Sequence, residues 1–121
     1  MASIEVKTLD KPDESRAFAN GQADMVVVGT TLVGRARLEP GWRWSNDVKP
    51  IAGTDSCTVL HKGYCIAGQI HITHDDGTAG DVGPGDAYEI QPGHDAWVVG
   101  DDTYEAIDFS EQMAEYAKPS S

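Results

Sequence analysis

From Asp24 to Phe109 the chain alternates short apolar runs with breaks rich in Gly, Pro, Asp and Ser. Met25-Val26-Val27-Val28 is a β-branched run. The alternation after it sets Ala36 and Leu38 on one face and Arg35 and Arg37 on the other, a strand pattern closed by the turn residues Pro40-Gly41. The stretch from Cys57 to Thr73 predicts a hairpin: a strand to Ile66, a turn at Ala67-Gly68 and a return strand from Gln69. Asp76-Gly77 is a strong hairpin signal, and Pro84-Gly85-Asp86 is a further turn. Ala87 to Gly100 reads as a strand, a Pro92-Gly93 turn and a return strand, and Asp101 to Phe109 supplies the last strand.

The flanks read differently. The segment "PDESRAFANG" predicts two helical turns that stop at Gly21, and Ser110 is placed to N-cap a short closing helix. Trp42 to Ser56 has weak periodicity and is expected as a structured loop or short strand over the barrel mouth. Short strands with turn signals roughly every eight to twelve residues predict an all-β sandwich or barrel. The expected layout is an N-terminal extension with a short helix over 1–23, a barrel over 24–109, and a C-terminal helix and tail over 110–121.

Charge narrows the partners. Twenty acidic residues against nine basic give a formal charge of −11, which disfavours nucleic acid and anionic membrane surfaces. The start "MASIEVKTLDKPDE" lacks the basic-then-apolar pattern of a secretion signal, and no apolar run approaches the ~20 residues that span a bilayer. A cytoplasmic protein is expected. Cys57 and Cys65, eight residues apart on one expected strand, would lie roughly 26 Å apart and are read as free buried thiols. The chain has no phosphate loop and no Cys-x2-Cys or His-Glu-x2-His zinc spacing.

The succession Pro40-Gly41, "HKGYCIAG", "DDG", "GPGD" and "IQPGHDAW" resembles the cupin superfamily over residues 24 to 109. "EPGWRWS", "VKP", "GTDSC" and "GHDAWVVGDD" are similar to a group of small single-domain bacterial cupins. The resemblance implies a double-stranded β-helix, or jelly-roll barrel, with short terminal helices. It also implies pairing of two copies through sheet edges, and an interior metal held by three histidines and a glutamate. Carried over residue by residue, the closing glycine of the first cupin motif falls on Gly68 and its glutamate on His61. The paired histidines of that motif fall on Asp55 and Cys57, or on Thr54 and Ser56. In the second motif Gly85 and Gly93 match, and the ligand histidine falls on Ala96, with His94 two residues earlier. None of the three family histidines is in place.

An alternative donor set remains. Divalent transition metals accept imidazole, thiolate and carboxylate together, so His61, His94, Cys57 and Asp55 are candidate ligands. Strand alternation from His61 puts Cys57 on the same face, directed inward. The expected ligand pocket is lined by His61, His94, Cys57 and Trp44, since small-molecule sites combine aromatic walls with few polar groups. Asp95 beside His94 is a candidate to orient an imidazole or to cap its own turn. His71 is expected outside, out of phase with Ile70 and Ile72, and His74 in an exposed turn. Arg35 and Arg37 are read as solvent-facing charges, and Tyr64 as outer core. Three functions stay open: a barrel binding a small organic ligand; an oxygenase, isomerase or lyase with a non-standard metal site; and a structural homodimer with a vestigial pocket.

Overall fold

The computed structural model describes residues 3–118, so the very ends of the N-terminal extension and of the C-terminal tail lie outside it. The described residues form nine strands: β1 (Glu14–Phe18), β2 (Gly21–Val28), β3 (Thr31–Leu38), β4 (His61–Ala67), β5 (Ile70–His74), β6 (Ala79–Val82), β7 (Ala87–Ile90), β8 (His94–Val98) and β9 (Tyr104–Asp108). A six-stranded sheet runs β1-β2-β3-β9-β4-β7, and a three-stranded sheet runs β6-β5-β8. All pairings between them are antiparallel. The two sheets face one another as the expected all-β double-sheet barrel.

Alternation decides what fills it. In the smaller sheet Ile70 and Ile72 pair with Val98 and Ala96, and all four are buried, while the out-of-phase His71 and Trp97 stack on the outer face with ring centroids 4.7 Å apart. The larger sheet contributes Ala23, Met25, Leu38, Cys65, Tyr104 and Ala106 to the same core. Val82 closes it from β6.

Five local expectations are corrected. The N-terminal helix is absent among the described residues. Glu14–Phe18 is strand β1, because Ala19-Asn20 makes a two-residue hairpin loop, with Asn20 at φ 60°, that folds the segment onto β2. Gly21, read as a helix stop, instead opens β2 directly after that loop. The segment after Trp42 is neither loop nor strand but two short helices, α1 (Trp44–Asp47) and α2 (Lys49–Ala52), the second ended by Gly53 at φ 74°.

β4 and β5 do not pair as a hairpin. β4 lies between β7 and β9, and β5 between β6 and β8, so Ala67-Gly68 turns a corner between sheets. The same holds at Pro92-Gly93, which carries the chain from β7 in one sheet to β8 in the other.

Arg35 is the fourth correction. It is buried, not solvent-facing, and pairs with the buried Asp24 at 3.2 Å on the outer face of β2 and β3. Arg37 is exposed as expected, with Glu105 at 3.2 Å, whereas Tyr64, read as outer core, is 49% exposed.

The closing helix is a 3₁₀ helix, Glu111–Glu115, whose N-cap Ser110 accepts from the Gln112 N–H. No helix of the described residues is long and apolar enough to cross a membrane.

Candidate functional site

Backbone pairing brings the first two site residues together. Cys57 forms an isolated bridge with His94: its N–H donates to the His94 carbonyl at 2.8 Å, and its own carbonyl accepts from Gly93 N–H at 2.7 Å. Gly93 makes this geometry with φ +100°, which a side chain rarely tolerates. His94 then opens β8, in phase with Ala96 and Val98, and is 3% exposed. His94 and Ala96 are two residues apart, which is one full strand period, so both point into the barrel. A histidine displaced by two positions therefore keeps its face.

The third residue, His61, opens β4 beside the end of β9. Its Nδ1 lies 2.8 Å from Asp108 Oδ2, and its Nε2 lies 3.8 Å from Cys57 Sγ. The His94 ring is 5.2 Å from the His61 ring, and its Nδ1 is 2.9 Å from the Gln91 carbonyl. One donor atom from each of Cys57, His61 and His94 lies within 4.8 Å of the other two. Asp108 is 2% exposed and saturated: Oδ2 faces His61, and Oδ1 accepts from Ser110 N–H at 2.8 Å and Lys62 N–H at 3.4 Å.

Charge follows from this packing. Burial alone would push the Cys57 thiol up, but hydrogen bonds from His61 and His94 outweigh it and bring the thiol down to about 6. Burial would likewise lower His61, but Asp108 and the Cys57 sulfur outweigh it and raise the imidazole to about 9. At neutral pH the metal-free pair is a thiolate beside an imidazolium.

The donor set fits a divalent transition metal. An acceptor sits at the Nδ1 of each ring, which holds the proton there and leaves Nε2 as the ligating nitrogen, the usual arrangement behind metal-bound histidines. Tetrahedral zinc binds sulfur at about 2.3 Å and nitrogen at about 2.0–2.1 Å, spacing its donors by roughly 3.5 Å. The Sγ to Nε2 separation of 3.8 Å is close to that.

Next to the cluster is a chamber of about 50 Å³, bordered by His61, His94, Trp42, Trp44, Tyr88 and Tyr104. Gly63 admits one of these walls: a Cβ there would stand 2.7 Å from the Tyr88 hydroxyl. Burial drives the Tyr88, Tyr104 and Tyr116 phenols well above their usual range, so each stays protonated. Met113 and Tyr116 close the chamber from the C-terminal segment, Tyr116 edge-on to His61 at 5.6 Å. Arg16 fastens that segment, donating to the Tyr116 carbonyl at 2.7 Å and the Met113 carbonyl at 3.4 Å.

Of the candidates from sequence, Cys57, His61 and His94 converge and Trp44 borders their chamber. Asp55 is solvent-exposed and outside the cluster, so it is not a ligand in this arrangement. Asp95 faces away from His94 and accepts from Ser45 N–H and from Arg43. His71 is outside, beside Asp81, and His74 bonds the Pro92 carbonyl. Sequence reasoning missed Asp108, although Tyr104, Ala106 and Asp108 share one parity and a carboxylate in phase with core residues was the available signal. It also missed Trp42, Met113 and Tyr116.

Neither a scan against protein-family models nor a search of curated proteins found a match. Solved structures do match. A protein of unknown function from Rhizobium leguminosarum is 14% identical, with 90% of this chain and 97% of that one covered and a TM-score of 0.58. A cupin-like protein from Thermotoga maritima is 20% identical over 80% and 73%, with a TM-score of 0.53. A protein of unknown function from Acidithiobacillus ferrooxidans is 13% identical over 87% and 85%, with a TM-score of 0.52. At these identities the likeness speaks for the fold.

Proposed function

The chain folds as a cupin, and we propose that its barrel holds a divalent transition metal on Cys57, His61 and His94, beside a chamber for a very small organic ligand. The observation that carries this reading is the convergence of three donor atoms within 4.8 Å, with both histidines tied at Nδ1 to an acceptor. One thiolate and two imidazoles suit zinc and its neighbours better than calcium or magnesium, which prefer oxygen. Three protein donors are the number found in catalytic sites, where a further position is left for water or substrate. When bound, such an ion supplies Lewis acidity toward a ligand oxygen.

The chain's own groups do the rest. Asp108 holds the His61 ring and its tautomer, and the Gln91 carbonyl does so for His94. Tyr116 and Met113 keep bulk water from the cluster, which strengthens every charge interaction inside it. The chamber limits the ligand by size, since about 50 Å³ is far below the 300–1,000 Å³ of drug-sized sites.

Protein made without a metal-binding tag and reconstituted anaerobically with zinc or cobalt(II) should hold close to one equivalent by elemental analysis. The Cys57→Ala, His61→Ala and His94→Ala variants should each fall to background, while Asp55→Ala should keep the metal. The cobalt form should show a sulfur-to-metal charge-transfer band that is absent in Cys57→Ala. Wild-type protein that folds yet retains no metal under these conditions sinks the proposal.

A further inference from the structure

The polar groups of the chamber do not balance. Its acceptors are already engaged: both oxygens of Asp108 are occupied by N–H groups of His61, Lys62 and Ser110. One of its donors is left over. Trp42 is 2% exposed and borders the chamber, yet among the described residues its indole Nε1 has no hydrogen-bond partner. Buried donors are rarely left so unless a bound partner or a functional role accounts for them. The Tyr88 and Tyr104 hydroxyls border the same space but are engaged with one another, so the indole stands as the unpartnered donor there. Apolar walls of Ile70, Ile72 and Ala96 complete it.

We infer that the chamber takes a small neutral carbonyl compound, an amide or aldehyde of three or four non-hydrogen atoms, whose oxygen accepts from the Trp42 indole N–H. The inference rests on the chamber proposed above as a ligand site, and not on the metal beside it. Size comes from the volume: one water needs about 10–15 Å³ on this measure, and an apolar cavity of about 150 Å³ is what admits benzene. About 50 Å³ therefore holds a few atoms and excludes a ring.

Neutrality comes from the charges around it. Outside, a groove of about 700 Å³ between β6 and β7 shares Ile72, Tyr88 and Ile90 with the chamber. Asp76, Asp81, Asp86 and Glu89 line that groove and repel a carboxylate.

The test follows the indole N–H resonances of ¹⁵N-labelled full-length protein, metal-free and zinc-loaded, during titration with formamide, acetamide, butyramide, benzamide and formate. The resonance missing from Trp42→Phe belongs to Trp42. Should that variant fail to fold, Trp44→Phe and Trp97→Phe assign it by elimination. Formamide and acetamide should move the Trp42 signal downfield saturably, and Trp42→Phe should bind them at least tenfold more weakly, read from shifts of Trp44. A Trp42 signal indifferent to both, equal binding of butyramide or benzamide, or binding of formate alone overturns the inference. Metal content of the same samples separates the two claims. A shifted signal in protein that holds no zinc keeps the ligand and removes the metal, and zinc without a shift does the reverse.

Discussion

Two buried polar clusters lie on opposite faces of the larger sheet, and they are built on different principles. On the outer face Arg35 and Asp24 saturate one another and their neighbours. Asp24 Oδ1 accepts from Ser15 and Gln22, and its Oδ2 accepts from Arg35. The guanidinium also reaches Asp10 and the Leu9 carbonyl, drawing the N-terminal segment across β2 and β3. Only Arg35 Nε lacks a partner in that cluster. On the inner face Cys57, His61 and His94 turn their ligating atoms toward one another, and the hydrogen bonds that fix them come from behind. Folding accounts for the first cluster. It does not account for the second, where a hydrophobic trio would fill the space at lower desolvation cost. Buried groups that satisfy each other point to architecture; buried donors aimed at a common point fit the metal proposed above.

The strongest way to break that contrast is to open the outer cluster. Asp24→Ala leaves the Arg35 charge buried with only the exposed Asp10 carboxylate, so the protein should lose roughly 3 kcal/mol in urea unfolding. Burial raises the Asp24 carboxyl, but bonds from Ser15, Gln22 and Arg35 outweigh it and hold its pKa below the usual value, so the aspartate is charged at neutral pH. The variant should still bind one zinc. If metal stoichiometry falls along with stability, the two clusters are not separate devices.

A smaller effect sharpens the inner cluster. Asp108→Asn keeps an amide oxygen for the Ser110 N–H but removes the carboxylate that orients His61. Zinc affinity by chelator competition should fall about 10–100-fold, as for other carboxylates behind a metal-bound histidine, with the fold retained. Unchanged affinity would mean that His61 is not held for a metal.

The barrel was legible because its turns are written in local chemistry. Asp76-Gly77 and the glycine after Pro92 need no tertiary information, and alternation against His71 set Ile70 and Ile72 inward. Sheet membership was hidden. Ala67-Gly68 has turn residues, but what makes it a corner is the Thr103 and Tyr104 backbone, so close that a Cβ on Gly68 would meet the Thr103 carbonyl at 2.5 Å. Arg35 was misjudged because alternation shows which face a residue takes, not whether another segment covers that face. In the site, matching residues to family positions pointed to Ala96, and His94, read as a turn residue, had no readable direction until it proved to open β8 in phase with Ala96. Asp108 was readable from parity in Tyr104–Asp108. Met113 and Tyr116 were not, because a 3₁₀ segment beyond the last strand has no repeating pattern to say where it docks.

The smallest effect is a slope. In metal-free protein His61 is raised from 6.5 to about 9, so its contribution to stability is complete below pH 6.5 and is lost as pH rises through about 9. Cys57 is lowered from 9.0 to about 6, so its contribution is complete above pH 9.0 and is lost as pH falls through about 6. Between pH 6.5 and 9 the folded pair binds one proton, on His61, and the unfolded pair also binds one, on Cys57. The pair therefore adds no pH dependence in that window. Zinc changes the count, because its donors must be deprotonated: the folded pair then binds none while the unfolded pair still binds one. At fixed free zinc, unfolding free energy of the loaded protein should rise with pH more steeply than that of the metal-free protein, by about 1.4 kcal/mol per pH unit. Other titrating groups contribute equally to both forms and cancel in the difference. Chemical denaturation at pH 6.5 to 9 measures it, and equal slopes would show that no proton leaves His61 or Cys57 when zinc binds, which would place the metal elsewhere.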